Sequence, residues 1–67
     1  MDMKTWLQQA SKDQRQALAD LCGSSVGYFY LIGGAHRRPS SKLCKILVTH
    51  EPRLTLHALR PDIWAAN

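Results

Sequence analysis

Between Leu21 and His50 the chain carries no aspartate or glutamate. Its acids, Asp2, Asp13, Asp20, Glu51 and Asp62, all lie outside that window. Inside it stand Arg37, Arg38, Lys42 and Lys45, with His36 and His50. In a chain of formal net charge +4, a central acid-free basic segment fits a polyanionic partner. The plainer reading is a solvated basic face.

Other absences narrow the function further. No apolar run approaches the ~18 residues of a membrane span, so no membrane role is expected. The opening "MDMKTWLQQA" has no signal-peptide apolar region, and the expected compartment is the cytoplasm. Cys22 and Cys44 are the only cysteines. In a reducing compartment they are expected to be core thiols at helical spacing, with a disulfide the second choice. They and His36, His50 and His57 are scattered, with no C-x-x-C or H-x₃-H spacing to seed a zinc site. No glycine-rich phosphate loop follows a strand, and the acids form no obvious pair. Enzyme activity, a cofactor and a small-molecule ligand are therefore not expected. Repeats, linkers, low-complexity stretches and a credible strand pair are also missing. What remains is one small domain of 67 residues, 45% of them apolar. A domain this small buries only roughly 60% of its unfolded surface, so its core is thin.

The apolar spacing that is present is helical. Met3, Trp6, Leu7 and Ala10 recur at i, i+3, i+4 and i+7, one face of a first helix. Ser11 with Gln14 three residues on forms a capping-box pattern for a second. That helix is expected to carry Ala17, Leu18, Leu21 and Cys22 on its inner side and to stop at Gly23. Ser24 or Ser25 caps a third helix, running to about Ile32 and closed by Gly33-Gly34. Val26, Phe29 and Ile32 face mostly inward in it, while Gly27, Tyr30 and Leu31 point away. "AHRRP" reads as a loop. Ser40 or Ser41 caps a fourth helix with Leu43, Ile46 and Leu47 inward and Cys44 beside them. Pro52 breaks the chain, Thr55 caps a short turn through Leu56 and Leu59, and Pro61 stops it. The expected class is all-α, a compact bundle of four to five short helices.

"GSSVG", residues 23 to 27, matches the G-x-S-x-G of an esterase nucleophile elbow. That elbow needs a strand before its serine and a large sheet around it. Here a helix precedes the serines, and the chain is too short for such a sheet. Ser24 and Ser25 are better read as helix caps. A helix-turn-helix needs a small residue where its helices cross, a glycine at the turn and apolar inner faces. Ala19, Gly23, and Leu18, Cys22, Phe29 and Ile32 supply these. A plain helical hairpin without a ligand would look similar. The outer face favours a reader. A glycine at position 27, mid-helix, costs up to ~1 kcal/mol relative to alanine, which makes sense if the helix must approach a groove closely. Val26 could meet a thymine methyl, and Tyr28 and Tyr30 could reach bases or phosphates.

The joint spacing of "GSSVGYFYLI", "HRRPS" and "LRPDIW" resembles the Cro-like and YdaS-like small regulators of phage and prophage origin, over about residues 15 to 64. The resemblance implies a lambda-repressor-like bundle that binds operator DNA and controls transcription. It makes the helix from Ser25 to Ile32 the recognition helix. It sets His36, Arg37, Arg38 and Ser40 where the family contacts the backbone.

The expectations are then a single helix-turn-helix domain over residues 1–67, its motif core near 15–34 and a tail at 61–67. Ser25, Val26, Gly27, Tyr28, Tyr30 and Leu31 are the expected base readers. Gln14, Arg15, His36, Arg37, Arg38, Ser40 and Lys42 are the expected phosphate contacts. The expected partner is double-stranded operator DNA, bound by two copies, with repression the outcome. The alternatives are a protein-interaction or antitoxin-like module using Tyr28, Tyr30 and Leu31, and a single-strand binder that stacks bases on its tyrosines. Ile63 and Trp64 are expected to be buried, either beside Trp6 and Leu7 or against the tail of a second chain.

Overall fold

The structure, a computed structural model, describes residues 1–65. The described residues form five helices and no strand: α1 (Met3–Gln9), α2 (Lys12–Leu21), α3 (Val26–Gly33), α4 (Ser41–His50) and α5 (Leu56–Leu59). The expected all-α bundle is therefore the observed one.

Every helix starts on a short polar side chain whose oxygen accepts a backbone N–H of its first turn, meeting one of the donors a helix start leaves open. Asp2 Oδ1 accepts from Thr5 N at 2.8 Å, Ser40 Oγ from Leu43 N at 3.1 Å, and Thr55 Oγ1 from Ala58 N at 3.2 Å. Ser11 and Gln14 complete the capping box: Ser11 Oγ accepts from Gln14 N, and Gln14 Oε1 accepts from Ser11 N. Of the two candidates for α3, Ser25 is the cap, accepting from Tyr28 N at 3.1 Å. The turn before it reverses at Gly23, where φ is +65°. A side chain there would be strained, so the glycine is required by geometry.

The core is Met3, Trp6, Leu7 and Ala10 of α1 and its end, Leu18 and Ala19 of α2, and Phe29 of α3, with Cys44, Leu47, Leu54 and Leu59. Trp6 and Phe29 meet edge to face, ring centroids 6.3 Å apart, a preferred aromatic geometry. Phe29 and Ala19 are fully buried. Ala19 thus occupies the close-contact position between α2 and α3 with the smallest side chain that keeps a helix strong.

Three expectations need correction. Ala17 is exposed, and Leu21 is 60% exposed. The inner face of α2 is Leu18, Ala19 and Cys22 instead. At about 100° per residue, it is rotated by roughly one residue from the 17-18-21-22 pattern. In α4 the deepest residues are Cys44 and Leu47, while Leu43 and Ile46 are half-buried. α3 closes at Gly33-Gly34 as expected, and the left-handed residue follows at Ala35, φ +62°. In the tail, Trp64 packs against the core of its own chain while Ile63 stays 45% exposed. The tail curls over α5: Trp64 N donates to the Arg60 carbonyl at 3.0 Å, and His57 Nδ1 donates to the Trp64 carbonyl at 2.8 Å. Residues 66 and 67, the end of that expected tail, lie outside the described residues.

Leu54 and Pro39 are buried although both stand in connections between helices. Leu54 plugs the core from the connection between α4 and α5, where no periodicity exists to betray it.

Candidate nucleic-acid interface

The candidate surface is assembled from α3, the segment after it, and the start of α4. Ser25 is exposed at the N-terminus of α3, its hydroxyl committed to the cap. Gly27 is exposed, and a Cβ built on it would meet only Ser25 Oγ, at 3.9 Å. Nothing within the fold demands a glycine there. Tyr30 is 52% and Leu31 41% exposed, while Tyr28 is half-buried. Val26 is half-buried against the core. The outward face of α3 is thus Gly27, Tyr30 and Leu31, with Tyr28 and Val26 at its margins.

After α3 the chain turns at Ala35, and the amides of His36 and Arg37 both donate to the Leu31 carbonyl, at 2.9 and 3.3 Å. This closes the end of the helix and throws His36, Arg37 and Arg38 outward, all exposed. Pro39 then dives into the core. Ser40 caps α4, and Lys42 and Lys45 are exposed on it. The side chains of Arg37, Lys42 and Lys45 make no ion pair among the described residues. Within the acid-free window, Arg38 alone meets an acid, Asp62 at 3.5 Å, while Arg37, Lys42 and Lys45 stand exposed.

Two expected phosphate contacts have other work. Gln14 Oε1 accepts from Ser11 N at 2.8 Å. Arg15 is half-buried, and its Nη1 donates to the carbonyls of Leu7 at 3.2 Å and Ala10 at 2.8 Å. Those carbonyls lie at the end of α1, where helix acceptors go unpaired, so Arg15 stitches α1 to α2. Each is engaged within the fold through one atom, Oε1 of Gln14 and Nη1 of Arg15.

Lys4 is the residue that sequence reasoning missed. It borders a shallow depression of about 330 Å³ together with Ile32, Gly33, Arg37 and Arg38. It also borders a larger groove of about 730 Å³ lined by Gln8, Arg15, Tyr30 and Gly34. The link is the α1–α3 crossing at Gly33, where an added Cβ would stand 3.2 Å from Leu7 Cδ1 and 3.4 Å from Lys4 Cα. A side chain there would fit only if Leu7 shifted by a few tenths of an ångström. Lys4 lies outside the acid-free window, so charge segregation along the chain gave no sign of it.

Two carboxylates stand near this surface: Asp2 lines the same depression as Lys4, Arg37 and Arg38, and Asp62 lies at Arg38. Asp62 Oδ2 lies 3.5 Å from Arg38 Nη1, while its two oxygens hold Arg60 at 2.7 and 2.9 Å. The Arg60 guanidinium keeps the Asp62 carboxyl down at about 2, so it is ionised at any ordinary pH. Burial pushes both cysteine thiols up, which keeps them protonated at neutral pH and poor as nucleophiles or metal ligands. Among the described residues no three His, Cys, Asp or Glu side chains come together as a metal site. The surface offers hydrogen-bond donors, positive charge and two exposed aromatic or aliphatic side chains. No family model matches this chain, and searches of the curated proteins and of the solved structures find no match to it.

Proposed function

We propose that the chain is a sequence-specific double-stranded-DNA-binding regulator, acting as a repressor at operator sites. The observation that carries this reading is one juxtaposition. The outward face of α3, Gly27, Tyr30 and Leu31, stands directly before a cationic stretch running from His36 to Lys45 without an acid. A helix of this kind reads base edges in the major groove while the neighbouring cations hold phosphates. Gly27 supports it, because a residue that weakens the helix and is not needed by the fold suits close approach to a groove. The resemblance to Cro-like regulators points the same way. Two copies bind one operator, since a pair of α3 helices about 34 Å apart reaches successive major grooves.

The test is selection of bound sequences from a random duplex library, with a salt titration on the winning duplex. A two-fold symmetric site and a steep fall of affinity with salt are expected. Each phosphate contact contributes about 0.9 to that slope. No enrichment and a flat salt response would end this reading.

One observation favours a second reading. Leu21 and Leu31 are both large apolar side chains left more than 40% exposed. A protein-interaction module would use them with Tyr30 to seat a partner, and its binding would depend little on salt.

A further inference from the structure

The connection carrying Arg37 and Arg38 is held at both ends by different parts of the fold. Its start is fixed by the two amides that donate to the Leu31 carbonyl. Its end is fixed from 21 residues away: Arg60 Nη1 donates to the Pro39 carbonyl at 2.8 Å. The buried Cys44 thiol adds a weak contact to the same oxygen at 3.8 Å. Arg60 is itself pinned, because Asp62 Oδ1 accepts from its Nε at 2.9 Å and Oδ2 from its Nη2 at 2.7 Å. The guanidinium therefore works on two edges at once, one toward Asp62 and one toward Pro39. The Arg60 side chain is only 18% exposed, unlike the open arginines of the connection. Asp62 also reaches Arg38, at 3.5 Å.

We propose that Arg60 and Asp62 are positioning residues for DNA binding: the Asp62-held fork of Arg60 anchors Pro39 and so sets where Arg37 and Arg38 stand. This deepens the reading above and rests on it. The fork explains why the residue is arginine. A lysine has one point-like ammonium and cannot hold a carboxylate with one edge and a carbonyl with another. It also gives the "LRPD" segment a role in binding without touching DNA. When Arg38 turns to a phosphate it leaves a weak, 76% exposed ion pair, while the two-pronged Arg60–Asp62 pair stays in place. The connection is thus fixed at its ends and free at its tips.

The experiment uses the full chain with Arg60→Lys and, as a milder change of the same shape, Asp62→Asn. Each is made alone and in a background carrying Arg37→Ala and Arg38→Ala. Affinity for a duplex is measured against salt, and amide hydrogen exchange is followed at Arg37, Arg38 and Ser40. Both variants are expected to exchange faster at those amides while α1 keeps its protection. Arg60→Lys is expected to bind about tenfold more weakly, roughly 1.4 kcal/mol, with a salt slope smaller by about 0.9 for each phosphate the variant no longer neutralises. In the background without the two arginines, neither variant weakens binding further. A purely structural role would lower the melting temperature and leave the slope unchanged, or would add its effect to that of removing the arginines. Either result overturns the positioning role alone. A parent chain that binds no duplex at low salt overturns the positioning role and the DNA-binding reading together.

Discussion

At residue scale, α3 sets two side-chain positions against each other. Phe29 is fully buried and Tyr30, its neighbour, is half open to solvent. Replacing Tyr30 with alanine should leave stability within about 0.5 kcal/mol, as surface changes usually do. It should relax preference at one or two base pairs by about 1–3 kcal/mol each. Melting and binding to single-base operator variants check both halves, and an unfolded Tyr30→Ala chain would mean the side chain carries the core. Gly27 makes the complementary case. A Cβ there meets nothing closer than 3.9 Å, and alanine is worth about 1 kcal/mol over glycine in a helix interior, less at Gly27, the second residue of α3. Gly27→Ala should therefore melt higher, by about 2–4 °C in a domain of this size. Gly27→Arg should stay folded and lose specific binding. If Gly27→Arg binds the operator as the parent does, the close approach of α3 to DNA is excluded.

At the scale of elements, the α1–α3 crossing is the contact that builds the candidate surface. It brings Lys4 beside Arg37 and Arg38 and leaves little room for a side chain at Gly33. A Cβ there would press on Leu7 Cδ1 at 3.2 Å and touch Lys4 Cα at 3.4 Å, so a larger, branched residue must push the two helices apart. Gly33→Val is expected to cost about 1–3 kcal/mol, the usual range for overpacking, read as a fall in melting temperature. A normal melt would show that the two helices separate easily. The second junction, α1 to α2, depends on Arg15 meeting the carbonyls of Leu7 and Ala10. A charged residue there meets the open carbonyls at the end of α1.

At the scale of the whole molecule, the tail and the ion pairs decide how the small bundle holds together. Trp64 packs on the core of its own chain. Removing residues 61–67 takes away that packing and Asp62, and a half-buried tryptophan is worth about 2 kcal/mol by area. The truncated chain should melt about 10 °C lower. A truncation as stable as the parent would show that the tail belongs to another contact. Acid should weaken the fold through Asp62, Asp2 and Glu51, whose carboxyls are all held below their ordinary values by hydrogen bonds from Arg60, Thr5 and Arg53 respectively. For Asp62 the folded value of about 2 lies under its ordinary 3.8, so the unfolded chain binds the proton first. Its contribution is therefore complete above about pH 4 and lost as pH falls through 2. Thermal melts from pH 7 to pH 2 should stay level and then drop in that window. Asp62→Asn should flatten the part of the drop that belongs to this residue.

The helix starts were legible in the sequence because capping is local. Ser11 and Thr55 each satisfy an amide three residues on, while the choice of Ser25 over Ser24 and of Ser40 over Ser41, and the cap at Asp2, came from the structure. The left-handed turn at Gly23 and the burial of Met3, Trp6, Leu7 and Phe29 were legible for the same reason, since they follow from short-range spacing. The cationic character of the stretch from His36 to Lys45 could be read directly from the absence of acids. Tertiary structure decided the rest. Ala19 at the helix crossing was legible, but the exposure of Leu21 and Ala17 depends on how α2 is rotated against its neighbours. The burial of Leu54 and Pro39 depends on gaps that only the assembled helices create. Lys4 reached the surface beside Arg37 through a backbone crossing at Gly33, and Arg60 reached Pro39 across 21 residues. Periodicity records which face of a helix is apolar, but it holds no information on which distant backbone carbonyl or helix that face, or its polar margin, will meet.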